Sequence, residues 1–176
     1  FVNSTGSWTT GITNTNTNTL TAGVPHRLLI RGSRSVNLNS NTATPSITTL
    51  RAKGTLYTGF KTVTDLSPVA GGNSFIGNPY QSPVDMNLVL QASTNLNQIF
   101  YYVWDPNVNT RGGYVTINVG TGVSNNLSSV ANRFLQPWQS CFVTSNLAGA
   151  ASLTFRESYK QTNFTNLNVF SATNTQ

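Results

Sequence analysis

Apolar residues along the chain come in short alternating runs separated by turn formers, the signature of β-strands rather than of long helices. The alternation is cleanest at Gly113–Val119, where Val115, Ile117 and Val119 share one face and Tyr114, Thr116 and Asn118 the other. Gln98–Trp104 is the most apolar run. There Phe100, Tyr102 and Trp104 alternate with Tyr101 and Val103, as expected of a central strand covered on both faces. Further strands are predicted at His26–Arg31, Ser35–Asn39, Ser46–Phe60 (one long or two), Lys61–Leu66, Ser74–Gly77, Gln139–Thr144, Ala151–Arg156 and Asn166–Phe170. Gly71-Gly72, Asp105-Pro106 and Gly112-Gly113 are among the turn signals between them. In Ser82-Pro83-Val84-Asp85, Ser82 has the form of an N-cap and Pro83 of a first helical residue, so a short helix is expected to run on from Met86 to Gln91. Asn126–Arg133 is a second helical candidate. Many short strands with one or two helical turns predict an all-β fold: an antiparallel β-sandwich, jelly-roll-like.

No internal repeat and no linker composition interrupts the pattern, so residues 1–176 read as a single sandwich domain. Residues 13–19 read T-N-T-N-T-N-T, which places Thr on one strand face and Asn on the other. Four Thr in one row are too few for an ice-binding plane. Residues 1–19 are instead expected to be an extended N-terminal strand with few tertiary anchors, open to exchange with a neighbour's sheet edge. The polar end, residues 171–176, reads as a flexible tail.

Composition narrows the location and the chemistry. Charged residues are 8% of the 176, against roughly 25% in an ordinary soluble domain. Asn, Ser and Thr exceed a third of the chain and take over the solvating role. That surface is typical of secreted all-β proteins. A chain that opens on Phe1 reads either as one stripped of a leader or as part of a longer polypeptide, and both point outside the cytoplasm. The net charge of +6 invites a nucleic-acid reading. The cations are scattered, however, and only Arg27, Arg31 and Arg34 cluster, so no nucleic-acid partner is expected. No apolar run approaches the roughly 20 residues of a spanning helix, so no transmembrane segment is expected.

The reactive inventory is small. His26 and Cys141 cannot furnish the four ligands of a zinc cage. Asp65, Asp85, Asp105 and Glu157 are dispersed, with no paired carboxylates of the glycosidase kind and no calcium-loop spacing. No serine lies in a G-x-S-x-G context. Asp105 reads as an Asp-Pro turn and Cys141 as a buried strand thiol. The expectation is therefore no catalytic residue, no metal and no cofactor. Calcium stays open, because backbone carbonyls and Asn side chains can bind it. Sugar sites on sandwiches pair an aromatic platform with polar hydrogen-bonding side chains, and Trp8, Trp138, Tyr80 and Tyr114 are the candidate glycan contacts. Trp8 and Trp138 are the least core-like, because polar residues flank them.

Three stretches carry a family resemblance. Residues 73–86 read N-S-F-I-G-N-P-Y-Q-S-P-V-D-M. Residues 100–107 read F-Y-Y-V-W-D-P-N, followed by R-G-G-Y-V-T at 111–116. Residues 133–143 read R-F-L-Q-P-W-Q-S-C-F-V, followed by L-T-F-R-E-S at 153–158. Together they resemble a β-sandwich module of large secreted Bacteroidetes surface proteins, found upstream of the C-terminal sorting domain read by the type IX secretion system. In that family the first stretch commonly reads W-N-L-I-G-N-P-Y-P-S-x-I-D. Cys141 departs from the pattern, standing where an aromatic is usual. The resemblance implies a secreted or cell-surface protein and transfers no catalytic residue. In the first stretch Gly77 and Pro79 turn the chain out of a strand. Asn78 caps local amides, Tyr80 packs beneath the turn, and Ser82 and Asp85 start the helix.

The reading is a non-catalytic, secreted structural or adhesive module, including the form of a repeating subunit in an extracellular filament. Its partners are further copies of itself or neighbouring surface-protein domains. The alternative is a carbohydrate-binding module of a secreted enzyme, with glycans as partners. A capsid-like jelly roll fits the composition alone.

Overall fold

The computed structural model describes residues 1–9, 11–12, 17–28, 32–37, 39–40, 42–44, 46, 48–49, 53–109 and 112–162. The chain divides into two compact units, one of Phe1–Pro25 with Tyr57–Gln176 and one of His26–Leu56. Neither boundary has a linker composition, which is why the sequence reads as one domain.

The larger unit is all-β, and every strand pair in it is antiparallel. In chain order the strands are β1 (Lys61–Val63), β2 (Asn73–Gly77), β3 (Val84–Asp85), β4 (Phe100–Asp105), β5 (Gly113–Asn118), β6 (Val123–Ser124), β7 (Phe134–Leu135), β8 (Ser140–Thr144) and β9 (Leu153–Phe155). Helix α1 spans Met86–Gln91, and a single 3-10 turn covers Glu157–Tyr159. Five strands form one sheet in the order β2-β8-β4-β5-β6, while β1 pairs with β9 and β3 with β7.

Strand alternation sets the core. The inner face of the large sheet carries Ile76, Cys141, Val143, Tyr101, Val103, Val115 and Ile117, all buried. They join one hydrophobic cluster with Val84, Met86, Val89, Leu90, Leu135, Leu153 and Phe155 from α1 and the small sheets. In α1 the buried positions Met86, Val89 and Leu90 fall at i, i+3 and i+4, so one face of the short helix is apolar.

The first helical expectation is corrected in its start. The N-cap is Asp85, whose Oδ1 accepts from the Asn87 N–H at 2.9 Å. Ser82 is not the cap; its hydroxyl donates to the Gln161 carbonyl at 3.3 Å. Val84 and Asp85 are held extended by pairing with Leu135 and Phe134, which delays the helix by three residues. Asn126–Arg133 forms no helix. There the Asn126 side chain caps the Ser128 N–H and Ser129 bonds Asp105, so side chains compete with the helical backbone.

No strand lies among the described residues of His26–Arg31, Ser35–Asn39 or Ser46–Phe60. Local side-chain caps take up the backbone there, as where Asn37 Oδ1 accepts from the Asn39 N–H at 2.9 Å. Residues 13–16 of the Thr/Asn row, Leu29–Arg31, the Asn166–Phe170 strand and the tail 171–176 lie outside the described residues.

The same side-chain capping accounts for the Asn-rich composition. Asn97 accepts from the Ile99 and Phe100 N–H groups, Asn118 from Gly120 and Thr121, and Asn132 from Phe134. Among the described residues every buried side-chain polar atom has a hydrogen-bond partner.

Burial also sets a pH response. It pushes the Cys141 thiol and the Tyr101 phenol well above their usual ranges. The Tyr80 phenol is pushed up to about 12, first by burial and then by Glu157. In each case the folded state holds its proton while the unfolded chain releases it. The unfolded chain therefore binds fewer protons once the pH passes about 8.5 for Cys and about 10 for Tyr, and stability falls as the pH rises. Urea midpoints measured from pH 7 to 11 are expected to start falling near pH 9 and to steepen above pH 10. Cys141→Ala, referred to its own midpoint at pH 7, should hold level to about pH 10.

Candidate functional site: an aromatic face on the large sheet

The face of the sheet turned away from the core is where the structure departs most from expectation. Residues with the opposite parity to the core set project there: Phe75 on β2, Phe142 on β8, Tyr102 and Trp104 on β4, and Tyr114 on β5. The register places Phe142 opposite both Phe75 and Tyr102, and Trp104 opposite Tyr114. Aromatic side chains thus cross four strands. The β4 run is not covered on both faces as its composition suggests; Trp104 and Tyr114 are exposed.

The N-terminal residues add to this face. Val2 and Ser7 form a bridge, with Val2 N–H donating to the Ser7 carbonyl at 2.8 Å. Gly6 closes the turn at φ +67°, a conformation that favours glycine. The buried Asn3 side chain docks the turn. Its Oδ1 accepts from the Phe75 N–H at 2.8 Å, and its Nδ2 donates to the Asp65 carbonyl at 2.6 Å and to the Phe75 carbonyl at 3.5 Å. The expectation of few tertiary anchors is therefore corrected for residues 1–9.

Docking brings Phe1 and Trp8 onto the sheet. Ring centroids lie 5.0 Å apart for Phe1–Trp8, 5.4 Å for Trp8–Phe75, 4.8 Å for Phe75–Phe142, 5.5 Å for Phe142–Tyr114 and 5.1 Å for Tyr114–Trp104. Rings in this range attract one another beyond simple area burial. Most pairs are edge-to-face, with Phe1 at 81° to Phe142 and Tyr114 at 65° to it. The rings therefore make an upright-walled trough and not a flat platform.

Against them lies an open groove of about 740 Å³, lined by Phe1, Tyr102, Tyr114 and Phe142, by Asn73 and Thr144, and by Gly6, Gly71 and Gly72. That volume falls within the range of small-ligand sites. Among the described residues no Asp, Glu, Lys, Arg or His side chain lines it. The Thr144 hydroxyl donates to Asn73 Oδ1 at 2.8 Å, which leaves the exposed Asn73 amide nitrogen as a donor at the rim.

No protein-family model, curated protein or solved structure matches this chain. The site therefore rests on its own geometry.

The four candidate glycan contacts separate. Trp8 and Tyr114, each 45% exposed, both belong to the aromatic face. Tyr80 does not, and that expectation is corrected. It is fully buried, its hydroxyl donates to the Gly59 carbonyl at 2.5 Å, and Lys160 Nζ stands 4.3 Å from its ring centroid. Trp138 is 58% exposed and sits in a turn closed by Gln139 N–H to the Gln136 carbonyl at 3.1 Å. Pro137 precedes it and its φ is +66°, the pattern of a type II turn that usually carries Gly or Asn in this place. Its indole N–H donates to Gln81 Oε1, which fixes the ring over the residue 77–82 turn.

Strand β2 ends at Gly77. Asn78 Oδ1 accepts from the Tyr80 N–H, and Asp85 caps α1 and pairs with Arg133 Nε at 3.4 Å. Asp105 is fully buried and accepts from the Asn107 N–H and the Ser129 hydroxyl, as an Asp-Pro turn should. Cys141 is buried on β8. His26 is exposed. Among the described residues no group of three His, Cys, Asp or Glu is placed to hold a metal ion, and no helix is long and apolar enough to cross a membrane.

Sequence reasoning missed Phe1, Asn3, Phe75, Tyr102, Phe142, Asn73 and Thr144 as site residues. The available signal was parity. Phe142 and Thr144 share a strand face, as do Phe100, Tyr102 and Trp104, but the order of β2, β8 and β4 in the sheet is not written in either run.

Proposed function

We propose that the chain is a non-catalytic module of the cell surface or extracellular matrix, structural or adhesive, which makes its contacts through the aromatic face. The observation that carries this reading is the continuous row of rings from Trp8 to Trp104 on one half-open sheet face. Large apolar surface left open on a folded domain marks a contact site. The sparse charge supports the same reading, since it lets surfaces approach with little electrostatic cost. The resemblance of residues 73–86, 100–116 and 133–158 to Bacteroidetes surface modules supports secretion through the type IX route. In the filament form of the reading, a neighbour's residues 1–9 replace this chain's own on β2 and use the same Asn3, Phe1 and Trp8 contacts.

Electron microscopy of unheated native extracellular material, with an antibody to this chain, tests the reading. Label on filaments, sheets or the cell envelope is the expected result. Label confined to dispersed particles in the medium, together with no retention of added protein by cells, would overturn it.

A further inference from the structure

We infer that the groove beside Tyr102 and Tyr114 is a binding site for an uncharged, soluble glycan chain or chain end. The inference rests on the adhesive reading only in using the same face, and it names the ligand of that face.

Three features select the ligand. Among the described residues no acidic, basic or imidazole side chain lines the groove, so no described side chain there repays the desolvation of an anionic or cationic partner. A uronic acid, sulfated sugar, phosphate or charged peptide would lose its water without gaining a counter-charge from any of these side chains. The lining instead joins aromatic rings to hydroxyl and amide groups: Tyr102, Tyr114 and Phe142 beside Asn73 and Thr144. A hexose matches this mixture, because its C–H face packs on a ring while its hydroxyls exchange hydrogen bonds around the edge. The Asn73 amide nitrogen donates, while the Thr144 oxygen and the tyrosine hydroxyls can accept.

Ring geometry then separates glycan forms. A crystalline polysaccharide surface needs rings lying in one plane. Here Phe1 and Tyr114 stand at 81° and 65° to Phe142, so a flat sheet of chains would meet ring edges. A single chain or its end can enter the trough and lay one sugar against a ring between two walls. One of those walls belongs to Phe1, which is held in place by the Asn3 dock. The site is therefore assembled from the N-terminal turn and the sheet together, and neither part forms it alone.

The test is titration calorimetry of the full chain with soluble neutral gluco-, manno-, galacto- and xylo-oligosaccharides, with uronic-acid and sulfated oligosaccharides in parallel. Pull-down on crystalline cellulose and chitin covers the flat surfaces. At least one neutral oligosaccharide class should bind, and Tyr102→Ala, Tyr114→Ala and Asn73→Ala should each weaken it by about tenfold or more. Their far-UV spectra and melting temperatures should show the variants folded. Tyr114→Phe, which keeps the ring, should recover most of the binding lost in Tyr114→Ala. The inference is overturned if no neutral oligosaccharide binds at millimolar concentration. It is equally overturned if only charged or crystalline ligands bind, or if the folded variants bind like the parent. Retention of the same proteins by cells is scored separately. Retention without neutral-glycan binding sinks the ligand assignment and spares the adhesive reading, and glycan binding without retention does the reverse.

Discussion

Asn78→Ala is expected to lower the unfolding free energy by about 3 kcal/mol or more, a large share of the 5–15 kcal/mol typical of a domain. The side chain is buried and acts in four directions. Its Nδ2 donates to the carbonyls of Ser82 at 2.9 Å, Leu135 at 3.0 Å and Gln136 at 3.1 Å, and its Oδ1 accepts from the Tyr80 N–H at 2.9 Å. The bonds join the loop after β2 to the end of β7 and the Trp138 turn. Alanine takes away the acceptor of the Tyr80 amide and the Asn78 donor of the Ser82 and Leu135 carbonyls, while the Gln136 carbonyl keeps the Gln139 N–H; each buried group left unpaired costs about 1–3 kcal/mol. Asn78→Asp keeps an acceptor for Tyr80 but sets an anion against three carbonyl oxygens, so it should fare no better. Urea unfolding gives the midpoint, and an Asn78→Ala midpoint within error of the parent would mean that the side chain is not a structural joint.

Asn78 also shows what could be read from the sequence and what could not. N-P-Y after a strand signals a turn, and an Asn there caps the next amides by a local mechanism. The Tyr80 bond is local in that sense. The bonds to Leu135 and Gln136 cross more than fifty residues, and no local pattern encodes them. The strands follow the same division. Runs with strict alternation, such as Gly113–Val119, appear where expected because parity is a local property. The two-residue strands β3, β6 and β7 escape notice because so short a pair exists only through its partner. His26–Arg31 has apolar alternation, yet its described residues form no strand, because alternation alone does not supply an edge to pair with.

The candidate site was legible only in part for a related reason. Aromatics were visible, but the choice between core and surface depends on which of two parities faces the second layer. Tyr80, in G-N-P-Y-Q-S-P, is sealed under a turn, while Tyr114, in G-G-Y-V-T, stands on the open face of its strand. Trp8 could be singled out by its polar neighbours. Its partners could not, since Phe1 and Phe75 meet it only after the N-terminal turn docks.

Asn3→Ala is expected to undo that docking, with consequences for the sheet edge as well as the groove. Among the described residues strand β2 pairs with β8 on one side only, so its other edge would present unpaired backbone groups to any passing strand. The Asn3 amide occupies that edge, accepting from the Phe75 N–H and donating toward its carbonyl, much as a neighbouring strand would. Phe1 and Trp8 then cover the Phe75 ring. Loss of the amide should cost about 2 kcal/mol at the clasp, which corresponds to a roughly 30-fold rise in exchange of the Phe75 amide hydrogen. Exchange at Ile117, on the protected side of the sheet, should change little. Asn3→Gln restores the groups but places them a methylene farther out, so it should rescue only partly. With the edge and Phe75 uncovered, the variant should also self-associate at concentrations where the parent is monodisperse. Unchanged Phe75 exchange together with unchanged sedimentation would show that residues 1–9 are a passive appendage. Raised exchange would make the clasp the element that keeps the sheet edge closed in one chain and, in an assembly, offers it to the next.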